Sequence, residues 1–277
     1  MGLKLYLKRA ALFILKGIPE YKTTIEVKVS SPSEALKGRN IIITGANRGL
    51  GYCFAKKCVS EGADVIITGR NEERLKKASS ELNCKYLVLD STDVSSMDSL
   101  FFEAEKMFNG KVDSLISNAG ISLHEGDFRN VTAEGWDAQM DTNLKGNYFI
   151  VQKFIQYLET KEDKKGNIVV ITSERAKRSD DIPYGLTKAA TSSFIQCMAN
   201  IVACEGIRIN GVGPGVTATD MTGVGKDGNY YSPWTAGHRY FMAEEVAEVV
   251  NFLLSDISGC ISGEVITCDQ ASWVTHW

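Results

Sequence analysis

Asn40-Ile41-Ile42-Ile43-Thr44-Gly45-Ala46-Asn47-Arg48-Gly49-Leu50-Gly51 is the stretch that decides the fold. Its opening β-branched run favours a buried strand. Glycines at 45, 49 and 51 follow at once, and helical spacing then continues to Glu61. In a strand–glycine turn–helix unit the glycines permit a tight turn and a close backbone approach to a pyrophosphate, which the amides of the helix N-terminus favour. Gly45, Asn47, Arg48, Gly49, Leu50 and Gly51 therefore read as a dinucleotide cradle rather than a plain loop.

Outward from this unit, strands and helices alternate. Ala63 to Gly69, Tyr86 to Asp90, Leu115 to Ser117, Asn167 to Thr172, Ile207 to Asn210 and Gly263 to Thr267 read as further strands. Helical spacing runs over Ser95 to Phe108, Trp136 to Tyr157 and Ala243 to Leu254. The alternation predicts an α/β fold, a Rossmann-like doubly wound parallel sheet of about seven strands flanked by helices. A chain of 277 residues suits one such domain, which we place at 38–277, after an arm at 1–37.

Ligands in such sheets sit outside the carboxyl ends of the strands. After the second strand, where a carboxylate would hold the ribose 2′-hydroxyl of NAD, the chain has Gly69-Arg70. Arg70, with Arg48, can instead pair with a 2′-phosphate, so NADP(H) is expected over NAD(H). The other reading of Arg70 is a solvated strand end. After the third strand come Asp90-Ser91 and Asp93-Val94, and the sequence leaves open which aspartate meets an adenine edge.

Tyr184 and Lys188 stand four apart and so share a helix face. A cation beside a phenol lowers its pKa, and a depression of three units corresponds to roughly 4 kcal/mol. The pair is common on solvated helices, and its chemical meaning depends on its companions.

Taken together, Thr44-Gly45…Gly49-Leu50-Gly51, then Asn118-Ala119-Gly120, then Tyr184…Lys188 resemble the short-chain dehydrogenase/reductase family over roughly residues 38 to 270. The resemblance implies an NAD(P)-dependent oxidoreductase acting on a small-molecule carbonyl or secondary alcohol, with Asn143, Ser173, Tyr184 and Lys188 as its catalytic set. Tyr184 would exchange the proton, Ser173 would polarise the substrate oxygen, Lys188 would tune the phenol and bind the nicotinamide ribose, and Asn143 would relay protons through a helix bend. The resemblance also places Pro214 and Gly215 by the nicotinamide, with Thr219 or the Thr217 backbone on its carboxamide. It implies a homodimer or homotetramer, although Asp269-Gln270-Ala271 and the tail Trp273 to Trp277 depart from the family's Asp-Gly-Gly ending.

A second departure is Glu174-Arg175-Ala176-Lys177-Arg178-Ser179-Asp180-Asp181 after the serine, read either as a solvated loop or as an anionic-substrate contact through Arg175. Thr222 to Tyr240, with Tyr230, Tyr231, Trp234 and Tyr240, reads as a substrate loop or as core cover. Within enzymes, a 3-oxoacyl thioester reductase shares every motif. A non-catalytic NADP-binding regulator is disfavoured by the complete catalytic set, and a nucleotide-sugar epimerase by the glycine spacing.

Met1 to Ile18 carries Lys4, Lys8, Arg9 and Lys16 without an acid and is amphipathic as a helix. It suits a peripheral membrane or partner contact, or packing on its own domain, but falls short of the ~20 apolar residues of a membrane span. Tyr21 to Ser31 alternates like an edge strand or an extended arm. A net charge of -3 argues against nucleic acid. Seven cysteines without paired spacing and three isolated histidines argue for free thiols in the cytoplasm and against a metal site.

Overall fold

The computed structural model describes residues 21–27, 32–219, 221–224 and 228–272. Seven strands, β1 (Asn40–Ile43), β2 (Asp64–Gly69), β3 (Lys85–Val88), β4 (Ser114–Ser117), β5 (Gly166–Ile171), β6 (Ile207–Pro214) and β7 (Val265–Cys268), form one parallel sheet. Their order is β3-β2-β1-β4-β5-β6-β7. Chain direction across the sheet reverses between β1 and β4, and that switch point opens the ligand crevice.

Helices α1 (Gly49–Ser60), α2 (Glu72–Leu82), α3 (Leu100–Phe108), α4 (Ala133–Gln139), α5 (Asn147–Glu159), α6 (Pro183–Val202) and α7 (Ala243–Leu254) complete the layers. The period of two in β1 sorts the core. Ile42 packs with residues of α3, α5 and α6, while Ile41 and Ile43 pack with residues of α1, α2 and α7. All three isoleucines are fully buried, each contributing roughly 1.5–3 kcal/mol.

The sequence reading needs two adjustments. Ser95 to Phe108 is not one helix: Asp93 caps a 3₁₀ turn, Val94–Met97, by accepting from the Ser95 N–H at 3.0 Å, and α3 starts afresh at Leu100. Trp136 to Tyr157 is also broken, by a π-helical segment Met140–Gly146 between α4 and α5. A Cβ on Gly146 would meet the Ser91 carbonyl at 2.4 Å, so the wider turn seats bare backbone against the loop after β3. Residues 21–27 join no strand of the sheet.

Leu36 is buried among α1 and α2 side chains, and its N–H donates to the Glu61 carbonyl at 3.1 Å. The Ser33 and Ala35 amides bond the Glu61 carboxylate. The chain just before the expected boundary is thus knitted to the domain. Met1 to Ile18 and the tail Trp273 to Trp277 lie outside the described residues. No helix among the described residues is long and apolar enough to cross a membrane, and no group of three or more His, Cys, Asp or Glu among them could hold a metal.

Candidate active site

A cleft of about 630 Å³ runs along the carboxyl ends of the strands. On the β1–β2 side it is lined by Gly45, Asn47, Arg48, Gly49, Leu50, Gly51, Arg70, Asp90 and Ser91. The N-cap residue of α1, Arg48, makes no side-chain cap bond, and the first turn holds no acid. Those amides are left for a ligand, as an anion site requires.

Asn118 braces the turn: its Nδ2 donates to the Thr44 and Gly45 carbonyls at 2.9 and 3.0 Å, while its own N–H and that of Ala119 donate to Thr44 Oγ1. A Cβ on Gly45 would stand 2.9 Å from Ala119 Cα, and one on Gly51 2.6 Å from Asn118 Nδ2. This packing leaves the cleft side of the loop as bare backbone, which fits a dinucleotide. Asp90 lines the cleft and accepts from the Thr92 N–H and Oγ1. Asp93 and Val94, also expected at the cofactor, do not line it, because Asp93 is turned away to cap its 3₁₀ turn.

On the β5–β6 side, Pro183 begins α6 and puts Tyr184 in its first turn, as a proline at that position favours. Tyr184 lies close enough to Ser173 for the serine to draw the phenol's pKa down, and both line the cleft. Lys188, one turn on, lies 5.7 Å from the tyrosine ring centroid and donates from Nζ to the Ile171 carbonyl at 2.9 Å. Asn143 sits in the π segment, fully buried, with Oδ1 accepting from the Ile121 N–H and Nδ2 donating to the Ile121 carbonyl, both at 2.8 Å. A Cβ on Gly120 would be 3.3 Å from Asn143 Oδ1 and 3.6 Å from Lys188 Nζ, so both groups flank that glycine. Pro214, Gly215, Thr217 and Thr219 line the same end.

The family model described as short chain dehydrogenase matches residues 39–228. The chain belongs to the short-chain dehydrogenase family. It is 32% identical over 241 residues to a 3-oxoacyl-[acyl-carrier-protein] reductase of Aquifex aeolicus, covering 83% of this chain and 96% of the relative. It is 31% identical over 244 residues to a gluconate 5-dehydrogenase of Gluconobacter oxydans, covering 85% and 94%. A solved short-chain type dehydrogenase/reductase from Mycobacterium ulcerans superposes with a TM-score of 0.79 at 26% identity, covering 86% of this chain and 90% of that one. The chain is therefore an oxidoreductase of the short-chain dehydrogenase kind with a nicotinamide-binding fold.

In this short-chain dehydrogenase the electrostatics depart from the sequence expectation. Burial pushes the Tyr184 phenol above its ordinary value, opposed by the neighbouring Ser173 side chain. Lys188 is itself lowered to about 8 by burial, and its bond is directed at a carbonyl rather than at the phenol.

Arg175 lines the cleft but is already paired. Its guanidinium is forked onto both Asp180 oxygens, while its N–H donates to Ser173 Oγ at 3.3 Å. Asp180 accepts from the Ile182 N–H, the N-cap of α6, and rests on Gly185, where a Cβ would be 2.0 Å from its Oδ2. The charged segment thus ties the serine's loop to the helix that carries the tyrosine.

Sequence reading missed Asn147, which donates from Nδ2 to the Asn143 and Ala119 carbonyls at 2.7 and 3.3 Å. Its place one helical turn after Asn143 was the available signal. His124 and Glu174 also line the cleft, and Glu174 is a buried acid whose pKa burial raises. Of the aromatic loop, Trp234 and Tyr240 reach it.

Proposed function

We propose that this enzyme transfers hydride between NADP(H) and a small-molecule carbonyl or secondary alcohol, as a homo-oligomer, with Tyr184 as general acid and base. The observation that carries the reading is the convergence of Ser173, Tyr184 and, one turn on, Lys188 in the same cleft as the bare glycine loop. Bound there, the nicotinamide supplies or receives the hydride. In reduction, Ser173 donates to the carbonyl oxygen and Tyr184 gives it the proton. A phenol held above its ordinary pKa stays protonated for that step. Lys188 holds positive charge behind the site, and Asn143, close to Lys188 at Gly120, supports reprotonation.

A pH profile separates chemistry from stability. Burial lowers Lys188 to about 8, so between that value and its unfolded value of ~10.4 the unfolded chain binds a proton that the native one lacks. This group therefore contributes stability that rises with pH across the window. Activity is expected to move the opposite way, with kcat/KM for reduction falling above pH 8 as the ammonium is lost. In Lys188→Met the surviving activity should lack that limb; an identical limb in the variant would remove Lys188 from the mechanism.

Three arginines support NADP(H). Arg48, Arg70 and Arg74 line the β1–β2 end of the cleft, and none makes an ion pair among the described residues. A charge-assisted bond contributes about 1.5–3 kcal/mol, so Arg70→Ala is expected to lower the NADPH/NADH ratio of kcat/KM by roughly tenfold or more. An unchanged ratio would rule out the 2′-phosphate contact.

The second reading, reduction of a 3-oxoacyl thioester, is favoured by the likeness to the Aquifex aeolicus reductase. A panel of carbonyls and alcohols with both phosphorylated and unphosphorylated cofactors, including acetoacetyl-coenzyme A, separates the two. Turnover confined to the thioester selects the second, and turnover of none of the panel contradicts both.

A further inference from the structure

The N-terminal arm precedes the family match, which begins at residue 39, yet part of it touches the active-site side of the molecule. Thr23 donates its N–H to Asn229 Oδ1 at 3.1 Å, and Asn229 Nδ2 donates to the Tyr21 carbonyl at 3.1 Å. Tyr230 donates its N–H to the Thr23 carbonyl at 3.0 Å, and the Tyr21 ring stacks on Tyr231 at 5.1 Å between centroids. The Tyr230 carbonyl accepts from the Tyr240 N–H at 2.8 Å. The Tyr230 backbone is therefore held at both polar groups, its N–H by the arm and its carbonyl by the returning chain at Tyr240.

The loop so held is a hairpin that closes through the antiparallel bridge Tyr231–Arg239. Its far base is fixed to α7, because Arg239 forks onto both Glu245 oxygens at 2.8 Å. The Tyr231 ring also faces His238 at 6.2 Å, which extends the stack from the arm across the hairpin. The cleft-facing side of this hairpin supplies Ser232, Trp234 and Tyr240.

We propose that Tyr21 and Thr23 are positioning residues of the substrate loop: the arm clasps the edge of the hairpin opposite its α7 anchor and so sets where Ser232, Trp234 and Tyr240 meet the substrate. The arm is then part of the specificity apparatus and lies far from the glycine loop in the fold's connectivity. Its loss should raise KM for substrate and leave cofactor binding intact. The effect on turnover rests on the proposed reaction, whereas the clasp itself does not.

Hydrogen exchange on the full chain tests the clasp without any substrate. In Tyr21→Ala/Thr23→Pro, which removes the stack and the Thr23 N–H, exchange at the Tyr230 and Tyr231 amides is expected to accelerate roughly tenfold, with sheet amides such as Ile42 unchanged. Tyr21→Phe, which keeps the ring, should exchange like the parent. Equal exchange at Tyr230 and Tyr231 in the double variant and the parent would overturn the proposal. With acetoacetyl-coenzyme A as probe, the double variant should show KM raised about tenfold, with kcat and the NADPH Kd within about twofold. A kcat loss of similar size with KM unchanged would also overturn it. Absence of turnover of this thioester in the parent counts against the thioester reading, and the exchange measurement then decides the clasp alone.

Discussion

Tyr184→Phe is expected to lower kcat for carbonyl reduction by about 10³-fold while leaving the NADPH Kd within about threefold. The substitution removes one oxygen and keeps the ring, so the packing at the start of α6 is preserved. What is lost is the proton donor beside Ser173. Glu174 and Lys188 are both otherwise engaged. Glu174 lies beside the site, but its side chain is paired with Arg178 at 3.2 Å. Lys188 is directed at the Ile171 carbonyl. Steady-state kinetics with a fluorescence titration of NADPH on the same preparation checks both halves. A variant that keeps more than about a tenth of parental kcat would assign the proton to another group.

The second large effect belongs to the glycine loop. A Cβ at Gly51 would lie 2.6 Å from Asn118 Nδ2, 2.7 Å from the Gly45 carbonyl and 2.8 Å from Ala46 Cα. Two of these three atoms are backbone of the loop itself and the third is the side chain that braces it, so no flexible tip can swing aside. Overpacking of this kind costs about 1–3 kcal/mol. Relief can come only by spreading the loop from Asn118, which deforms the surface offered to the pyrophosphate. Gly51→Ala should therefore lower Tm and weaken NADPH binding by roughly a hundredfold, about 2.8 kcal/mol at 1.4 per decade. Gly49→Ala is the control. Its Cβ would meet nothing within 4 Å, but its φ of +60° lies in the left-handed region, where a side chain costs roughly 1–2 kcal/mol. The loss of cofactor affinity should be clearly larger at 51 than at 49; the reverse order would mean that backbone conformation, not close packing, shapes the cradle.

The residues legible in the sequence are those whose chemistry is local. The run Asn40 to Gly51 states strand, turn and helix in a dozen positions, and the structure returns β1 and α1 there. Tyr184 and Lys188 are neighbours by helical spacing alone, and their helix is present. Ser173, known to the sequence only through resemblance, lines the cleft, whereas Asn143 is fully buried beside Gly120 and outside the lining.

What the sequence hid depends on distant partners. The break in the long helix at Met140–Gly146 follows from Gly146 meeting the Ser91 carbonyl, a contact between segments that no periodicity records. Arg175 looked available for an anion because its partner, Asp180, is brought to it by the 3₁₀ turn and by the space over Gly185. Spacing reports a cation near Tyr184, but not the burial that raises the phenol's pKa. The arm's docking joins residues 206 positions apart. The tail likewise holds a detail invisible to pattern. Gln270 and Ala271 take φ of 50° and 60°, left-handed values that suit the glycines which the family resemblance leads one to expect there.

The most direct measurement is isotopic. NADPH deuterated at the nicotinamide C4 position that donates hydride is incubated with the enzyme and its reducible carbonyl, and the product alcohol is analysed by mass spectrometry. The expected result is one deuterium on the carbinol carbon with the parent enzyme, and a rate of its appearance about 10³-fold lower with Tyr184→Phe. Product without deuterium, or an equal rate of incorporation in the two proteins, would contradict hydride transfer governed by this tyrosine.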